Sequence, residues 1–91
     1  MKRPITTIRV TSHFTRQYKR LPPEVKEIAE ARERIFRADA IDPRLRTHKL
    51  SGRLKDLWAF SVTYDLRIVF EFLGADEVLF HSIGSHQVVY E

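Results

Sequence analysis

The sequence predicts an α+β fold, with an N-terminal strand and a two-helix hairpin packed on a three- to four-stranded antiparallel sheet. Three observations predict it. Apolar residues recur at helical spacing between residues 14 and 36, and after Pro43 the pattern becomes a series of β-rich runs. The breaks between those runs are too short for anything but antiparallel neighbours. The 91 residues suit a single domain over 1–91 with one modest core.

Ile5 to Val10 is rich in β-branched residues and reads as the first strand. Thr11 and Ser12 offer N-cap oxygens, and Phe14, Tyr18 and Leu21 follow at i, i+4, i+7 along one helix face. Pro22-Pro23 ends this helix and opens the next, since a fixed φ is tolerated only in a first turn. Val25, Ile28, Ala29, Ile35 and Phe36 form the second helix's apolar stripe. Arg32 fills the gap in that stripe, its stem placed to lie along the core with the head reaching out. Asp42-Pro43 is the stop signal. Trp58 to Thr63, Leu66 to Leu73 and Val78 to Ser85 are the strands, joined through Tyr64-Asp65 and Gly74-Ala75-Asp76, and His48-Lys49-Leu50 supplies a short extra one.

A tight turn at Tyr64-Asp65 would pair Arg67 with Val62. It would set Arg67 beside Phe60 and Trp58 on one face of the sheet. Ala59, Ser61, Leu66, Ile68, Phe70 and Phe72 would then form the face that the helices cover, leaving Arg67 on the open one.

Charge divides along the chain. Residues 1–53 hold fourteen Lys and Arg against six Asp and Glu, a balance of +8, and residues 54–91 hold two against six, a balance of −4. A basic half beside a mildly acidic one suits a polyanionic partner, and equally an ordinary solvated helix surface. The absence of cysteine excludes disulfides, thiolate metal sites and a Cys nucleophile. No apolar run approaches the roughly 20 residues of a membrane span, and MKRPITTIRV lacks the apolar stretch of a secretory signal. A cytoplasmic protein without a membrane partner is the expectation.

There is no phosphate-binding glycine loop and no nucleophile elbow. His13, His48, His81 and His86 include no i, i+4 pair, so neither a metal nor another cofactor is expected. What remains is a set of imidazoles, a strand arginine, a turn aspartate and a tyrosine on a basic chain. That inventory suits metal-free RNA cleavage. Such cleavage needs a base for the 2′-OH proton, an acid for the leaving 5′ oxygen and a cation for the charge that builds on phosphorus.

The stretch HKLSGRLKDLWAFSVTYDLRIVFEF, followed by VLFHSIGSHQVVY, resembles the RelE/ParE superfamily of bacterial toxins over residues 48–90. It looks most like the YafQ-like and RelE/StbE-like mRNA interferases of type II toxin-antitoxin systems. The resemblance implies a RelE-like microbial RNase fold and a ribosome-dependent endoribonuclease. Its implied partners are the ribosome, mRNA and a small cognate antitoxin encoded nearby, with operator DNA reached only through that antitoxin. The catalytic positions it implies are His48, Asp65, His86, Tyr90 and the RelE-type strand arginine, Arg67. Arg16, Lys19, Arg20, Arg44, Arg46, Lys49 and Arg53 are the candidates for binding RNA or the ribosome. The chain departs from the family where RelE has strand lysines (Trp58 and Phe60 here) and where YafQ has a further strand histidine (Ser61 here).

Each position also has a structural reading. His48 suits a turn cap, Asp65 a turn residue, Arg67 a strand arginine paired with Glu71, and Tyr90 a packed ring. Trp58 and Phe60 suit either RNA stacking or sheet packing, and His81 a structural place in its strand. Two other functions share the predicted fold: a ParE-like inhibitor of DNA gyrase, and a non-catalytic module that binds an acidic protein.

Overall fold

The structure, a computed structural model, describes residues 1–52 and 56–85. Its elements are β1 (Thr7–Val10), α1 (Ser12–Lys19), α2 (Pro23–Ala38), a 3-10 turn (Pro43–Leu45), β2 (His48–Lys49), β3 (Trp58–Ser61), β4 (Leu66–Phe72) and β5 (Glu77–Ser85). The Thr11 hydroxyl accepts the Phe14 amide at 2.9 Å and so caps α1 as its sequence predicts. The helix ends at Lys19, and Leu21 packs against the core just beyond it.

Pro23 opens α2, but the helix stops at Ala38, short of Asp42-Pro43. Asp39 causes the early stop. It turns extended, and its carboxylate accepts the amides of Arg3 (2.9 Å) and Ile41 (3.1 Å), offering the backbone an alternative to another helical turn. The chain then makes the 3-10 turn, which the sequence pattern did not signal and which buries Leu45 completely.

Among the described residues the strands form one sheet in the order β1-β5-β4-β3-β2. The four predicted antiparallel strands are all present, His48-Lys49 included, and β1 joins them as a parallel edge strand on β5. Phe36 centres the core. Its ring stacks on Phe60 at 4.7 Å and meets Phe70 and Phe80 edge-on at 5.0 and 5.5 Å. These contacts tie α2 to β3, β4 and β5 together.

The register of β3 differs from the expectation. Ser61 pairs with Arg67 and Phe60 with Ile68, one residue away from the pairing a two-residue turn would give. A two-residue type I′ turn needs positive φ at both central residues, and Arg46 is the only non-glycine residue with positive φ among those described. The hairpin instead takes a three-residue loop, Thr63-Tyr64-Asp65, closed by the Val62 amide on the Leu66 carbonyl (2.8 Å) and by the Leu66 amide on Thr63 Oγ1 (3.1 Å). The slip reverses β3: Phe60 and Val62 enter the core, while Ala59 and Ser61 move to the other face. Trp58 goes with Phe60 and rests edge-on against Phe72 at 5.3 Å, so sheet packing accounts for both aromatic rings.

Arg67 nevertheless stands on the face the helices leave open, because the alternation of β4 puts Ile68 and Phe70 in the core whatever β3 does. A bulge shapes the neighbouring strand. Val69 pairs with Ser82 but Phe70 pairs with Phe80, leaving His81 as the extra residue. His81 Nε2 meets Glu71 Oε1 at 3.0 Å, a structural role for that histidine.

Candidate functional site

The sheet register assembles the site. Cross-strand partners share a face, so the row His48–Ala59–Val69–Ser82, with Ala59 and Val69 themselves buried, lies on the side away from the helices, and beside it the row Ser61–Arg67–Gly84. Two strand spacings and one two-residue step put the Cα atoms of His48 and Arg67 roughly 12 Å apart, near enough for both side chains to reach one phosphate. Small neighbours, Ser61 and Gly84, flank Arg67 in its row. Its Nη1 donates to the Tyr64 carbonyl at 3.1 Å, pinning the hairpin loop that holds Asp65. The structural alternative for Arg67, an ion pair with Glu71, is not formed: Glu71 is engaged with His81. Among the described residues Arg67 has no carboxylate within salt-bridge distance.

His48 is exposed on the edge strand β2, its Nδ1 at 3.0 Å from the Arg46 carbonyl. A carbonyl can only accept, so Nδ1 carries the proton, and in the neutral ring Nε2 is the nitrogen free to take one. Asp65 is exposed in the loop next to Tyr64, whose 91% exposure makes it the most solvent-facing aromatic among the described residues. Ser85, the last described residue of β5, pairs with Leu66, the residue between Asp65 and Arg67. His86, Tyr90 and Arg53 lie outside the described residues.

The sheet's open face runs into a cleft of about 340 Å³ at the β3–β4 hairpin, lined by Arg32, Arg44, Arg46, Arg67, Ser61 and Tyr64 among others. Four arginines from α2, the 3-10 turn, the residue after it and β4 thus meet in one concavity. Arg44 and Arg46 are among the predicted RNA contacts. Arg32 and Tyr64 are not, though each carried a signal: a cation interrupting an apolar helix stripe, and an aromatic in a hairpin loop. Arg46 is held in the left-handed region at φ 53°, ψ 41°, which costs a residue with a Cβ roughly 1–2 kcal/mol. Of the other predicted contacts, Arg16 and Lys19 are exposed on α1 and Arg20 is exposed at its C-terminal cap. The Gln17 Oε1 of that helix accepts the Ile83 amide at 2.8 Å, next to the Gly84 that pairs with Arg67. Lys49 is also exposed, but pairs with Trp58 and so projects from the face opposite to His48.

Asp42 pairs with one of these arginines. Asp42 takes two hydrogen bonds from the Arg44 guanidinium, at 3.0 and 2.9 Å, and one from the Arg44 amide at 2.9 Å. The guanidinium first and the amide second hold its pKa well below the usual 3.8, at about 2. A depressed folded pKa stabilises the fold above the unfolded value, and that stabilisation is lost as pH falls through the folded one. The melting temperatures of the wild type and Asp42→Asn are therefore expected to differ above about pH 4 and to converge towards pH 2, as a thermal melt across that range would read.

Comparison with known proteins places this geometry. Residues 6–91 match the family model described as a bacterial toxin of type II toxin-antitoxin system, YafQ. No curated protein sequence matches the chain. Among solved structures the fold resembles YafQ from Escherichia coli strain BL21(DE3), with TM-score 0.69 and 16% identity over 92% of this chain and 97% of that one. It also resembles the YoeB/ParE toxin from Agrobacterium tumefaciens, with TM-score 0.75 and 14% identity over 89% and 99% of the two chains. The toxin-antitoxin complex RelBE2 from Mycobacterium tuberculosis matches with TM-score 0.72 and 17% identity over 93% and 95%. With two helices packed on a five-stranded mixed sheet and a family match over nearly its whole length, the chain belongs to the YafQ family of type II toxin-antitoxin toxins.

Proposed function

We propose that this toxin is an endoribonuclease that cuts mRNA on the ribosome, in the cytoplasm, by metal-free attack of the 2′-OH on the adjacent phosphorus. The observation that carries the reading is the sheet face away from the helices, where Arg67 has no carboxylate partner among the described residues and shares the face with an exposed His48 whose Nδ1 is tied to a carbonyl. A base removes the 2′ proton and the 2′ oxygen bonds to phosphorus. The 5′ oxygen then leaves with a proton from an acid. His48 and His86 share those two roles. Arg67 offers a planar fork to the phosphorane oxygens, where charge builds in the transition state. Asp65 orients an imidazole or the nucleotide, and Tyr90 stacks on a base or assists proton transfer. Exposed cations, among them Arg16, Lys19 and Arg20, dock the domain on ribosomal RNA.

An antitoxin that occupies the open face would silence the reaction. Family membership and the likeness to a toxin held in a toxin-antitoxin complex support such a partner.

Primer extension on mRNA after induction tests the proposal. The wild type is expected to give codon-phased cuts whose fragments carry a 2′,3′-cyclic phosphate or 3′-phosphate and a 5′-hydroxyl. His86→Ala is expected to lose about 10²- to 10⁴-fold of that cleavage. Intact mRNA together with a DNA-damage response, or cuts that leave a 5′-phosphate, would overturn the proposal. Undiminished cleavage by His86→Ala would remove that histidine from the chemistry.

A further inference from the structure

The cleft at the hairpin is more than an extension of the sheet's open face. Arg32 and Arg46 reach it from elements that carry no part of the proposed chemistry. Arg32 Nη1 donates to the Arg44 carbonyl at 3.4 Å, a long bond that leaves most of its fork unused. Arg44 is neutralised by Asp42, whereas Arg46 and Arg67 make no ion pair among the described residues. Among the described residues the cleft is therefore lined by four guanidinium groups and no carboxylate, with Asp42 outside the lining and paired to Arg44. Such a concavity focuses positive potential, and its planar donors match the tetrahedral oxygens of a phosphate.

Two further observations point to a nucleotide as the occupant. Tyr64 lines the cleft and is 91% exposed, which leaves an aromatic side chain accessible for stacking at its rim. Arg46 reaches the cleft from a left-handed backbone, φ 53°, that glycine or asparagine would hold with less strain.

We infer that this cleft is a second phosphate subsite, in which Arg32 and Arg46 hold the backbone phosphate next to the scissile one while Tyr64 stacks on the attached base. The inference rests on the ribonuclease reading for its ligand, single-stranded RNA, and Arg67 lies between the two phosphates. An acidic peptide would satisfy the guanidinium groups but leave Tyr64 without a role, so the exposed ring favours nucleic acid.

Fluorescence anisotropy with a labelled 2′-O-methyl RNA hexamer, which can bind but cannot be cut, tests the subsite on the purified toxin. Arg32→Gln and Arg46→Asn are each expected to weaken binding about 10-fold and to lower the slope of log affinity against log salt by about 0.7. Asparagine suits position 46 because it tolerates the left-handed backbone while removing the charge. Tyr64→Ala is expected to lose about 10-fold and Tyr64→Phe almost nothing, since stacking needs the ring and not the hydroxyl. On programmed ribosomes the arginine variants are expected to raise KM and leave kcat near the wild-type value. Unchanged melting temperatures separate these losses from unfolding.

Wild-type affinity and salt slope in both arginine variants would overturn the assignment. So would a hexaglutamate peptide that binds more tightly than the RNA and ignores Tyr64→Ala. The probe needs no cleavage, so a toxin that binds it through these residues yet leaves cellular mRNA intact overturns the ribonuclease reading alone. A toxin that cuts mRNA while its variants bind unchanged overturns the subsite alone.

Discussion

Replacing Arg67 with glutamine is expected to lower mRNA cleavage on programmed ribosomes by roughly 10²- to 10³-fold, the loss typical of removing a charged transition-state donor. The same substitution is expected to leave stability within about 0.5 kcal/mol, as for a surface position outside the core. The two expectations belong together because of where the side chain stands. Arg67 is flanked in its row by Ser61 and Gly84, and among the described residues its guanidinium donates to the Tyr64 carbonyl. Losing that bond frees a loop that the Thr63 hydroxyl and the Val62 amide still close. A strand arginine kept for structure would behave in the opposite way, costing stability and sparing the rate. Arg67→Lys refines the test. It keeps the charge but loses the planar fork, so cleavage is expected to recover only in part, about 10-fold below the wild type. Single-turnover cleavage and a thermal melt on the same preparations provide both readouts, and wild-type rates in Arg67→Gln would remove this residue from the chemistry.

The sequence made the open-face position of Arg67 legible because β4 carries its own alternation. Leu66, Ile68, Phe70 and Phe72 define the core side without reference to any neighbour. The face of β3 was not legible in the same way. Its assignment passed through the hairpin, and one residue of loop length decides whether Phe60 or Ser61 faces the helices. The missing glycine in Thr63-Tyr64-Asp65 was the available clue, since a two-residue turn of the favoured kind needs backbone conformations that tyrosine and aspartate seldom adopt.

The arginine cleft is a different kind of miss. Its residues sit at positions 32, 44, 46 and 67, and only the packing of α2 and the 3-10 turn against the β3–β4 hairpin brings them together. No local period encodes that meeting. His48 illustrates a middle case, because its residue type and its strand were readable, whereas the hydrogen bond that fixes its tautomer depends on the unusual backbone of Arg46 two residues before it.

Phe36→Ala is expected to remove a large part of the protein's stability. Its side chain is completely buried and contacts three other phenylalanine rings at centroid distances of 4.7 to 5.5 Å. Truncating such a ring costs about 3–5 kcal/mol through lost transfer energy and the cavity left behind. A domain of this size typically has only about 5–15 kcal/mol of total stability, so the loss is a large part of the whole. Phe36→Leu keeps most of the volume and forfeits the ring pairs, so it is expected to cost only about 1–1.5 kcal/mol. Urea unfolding checks both, with the midpoint falling steeply for alanine and slightly for leucine at an unchanged m-value.

The consequence reaches the site through one turn of helix. Arg32 and Phe36 are four residues apart on α2, so the ring that anchors the helix to the sheet also sets where Arg32 enters the cleft. RNA binding by Phe36→Ala should therefore fall with the folded fraction and return when a stabilising osmolyte restores the fold. No osmolyte should restore cleavage to Arg67→Gln, whose fold is intact and whose missing group is the one the phosphorane needs.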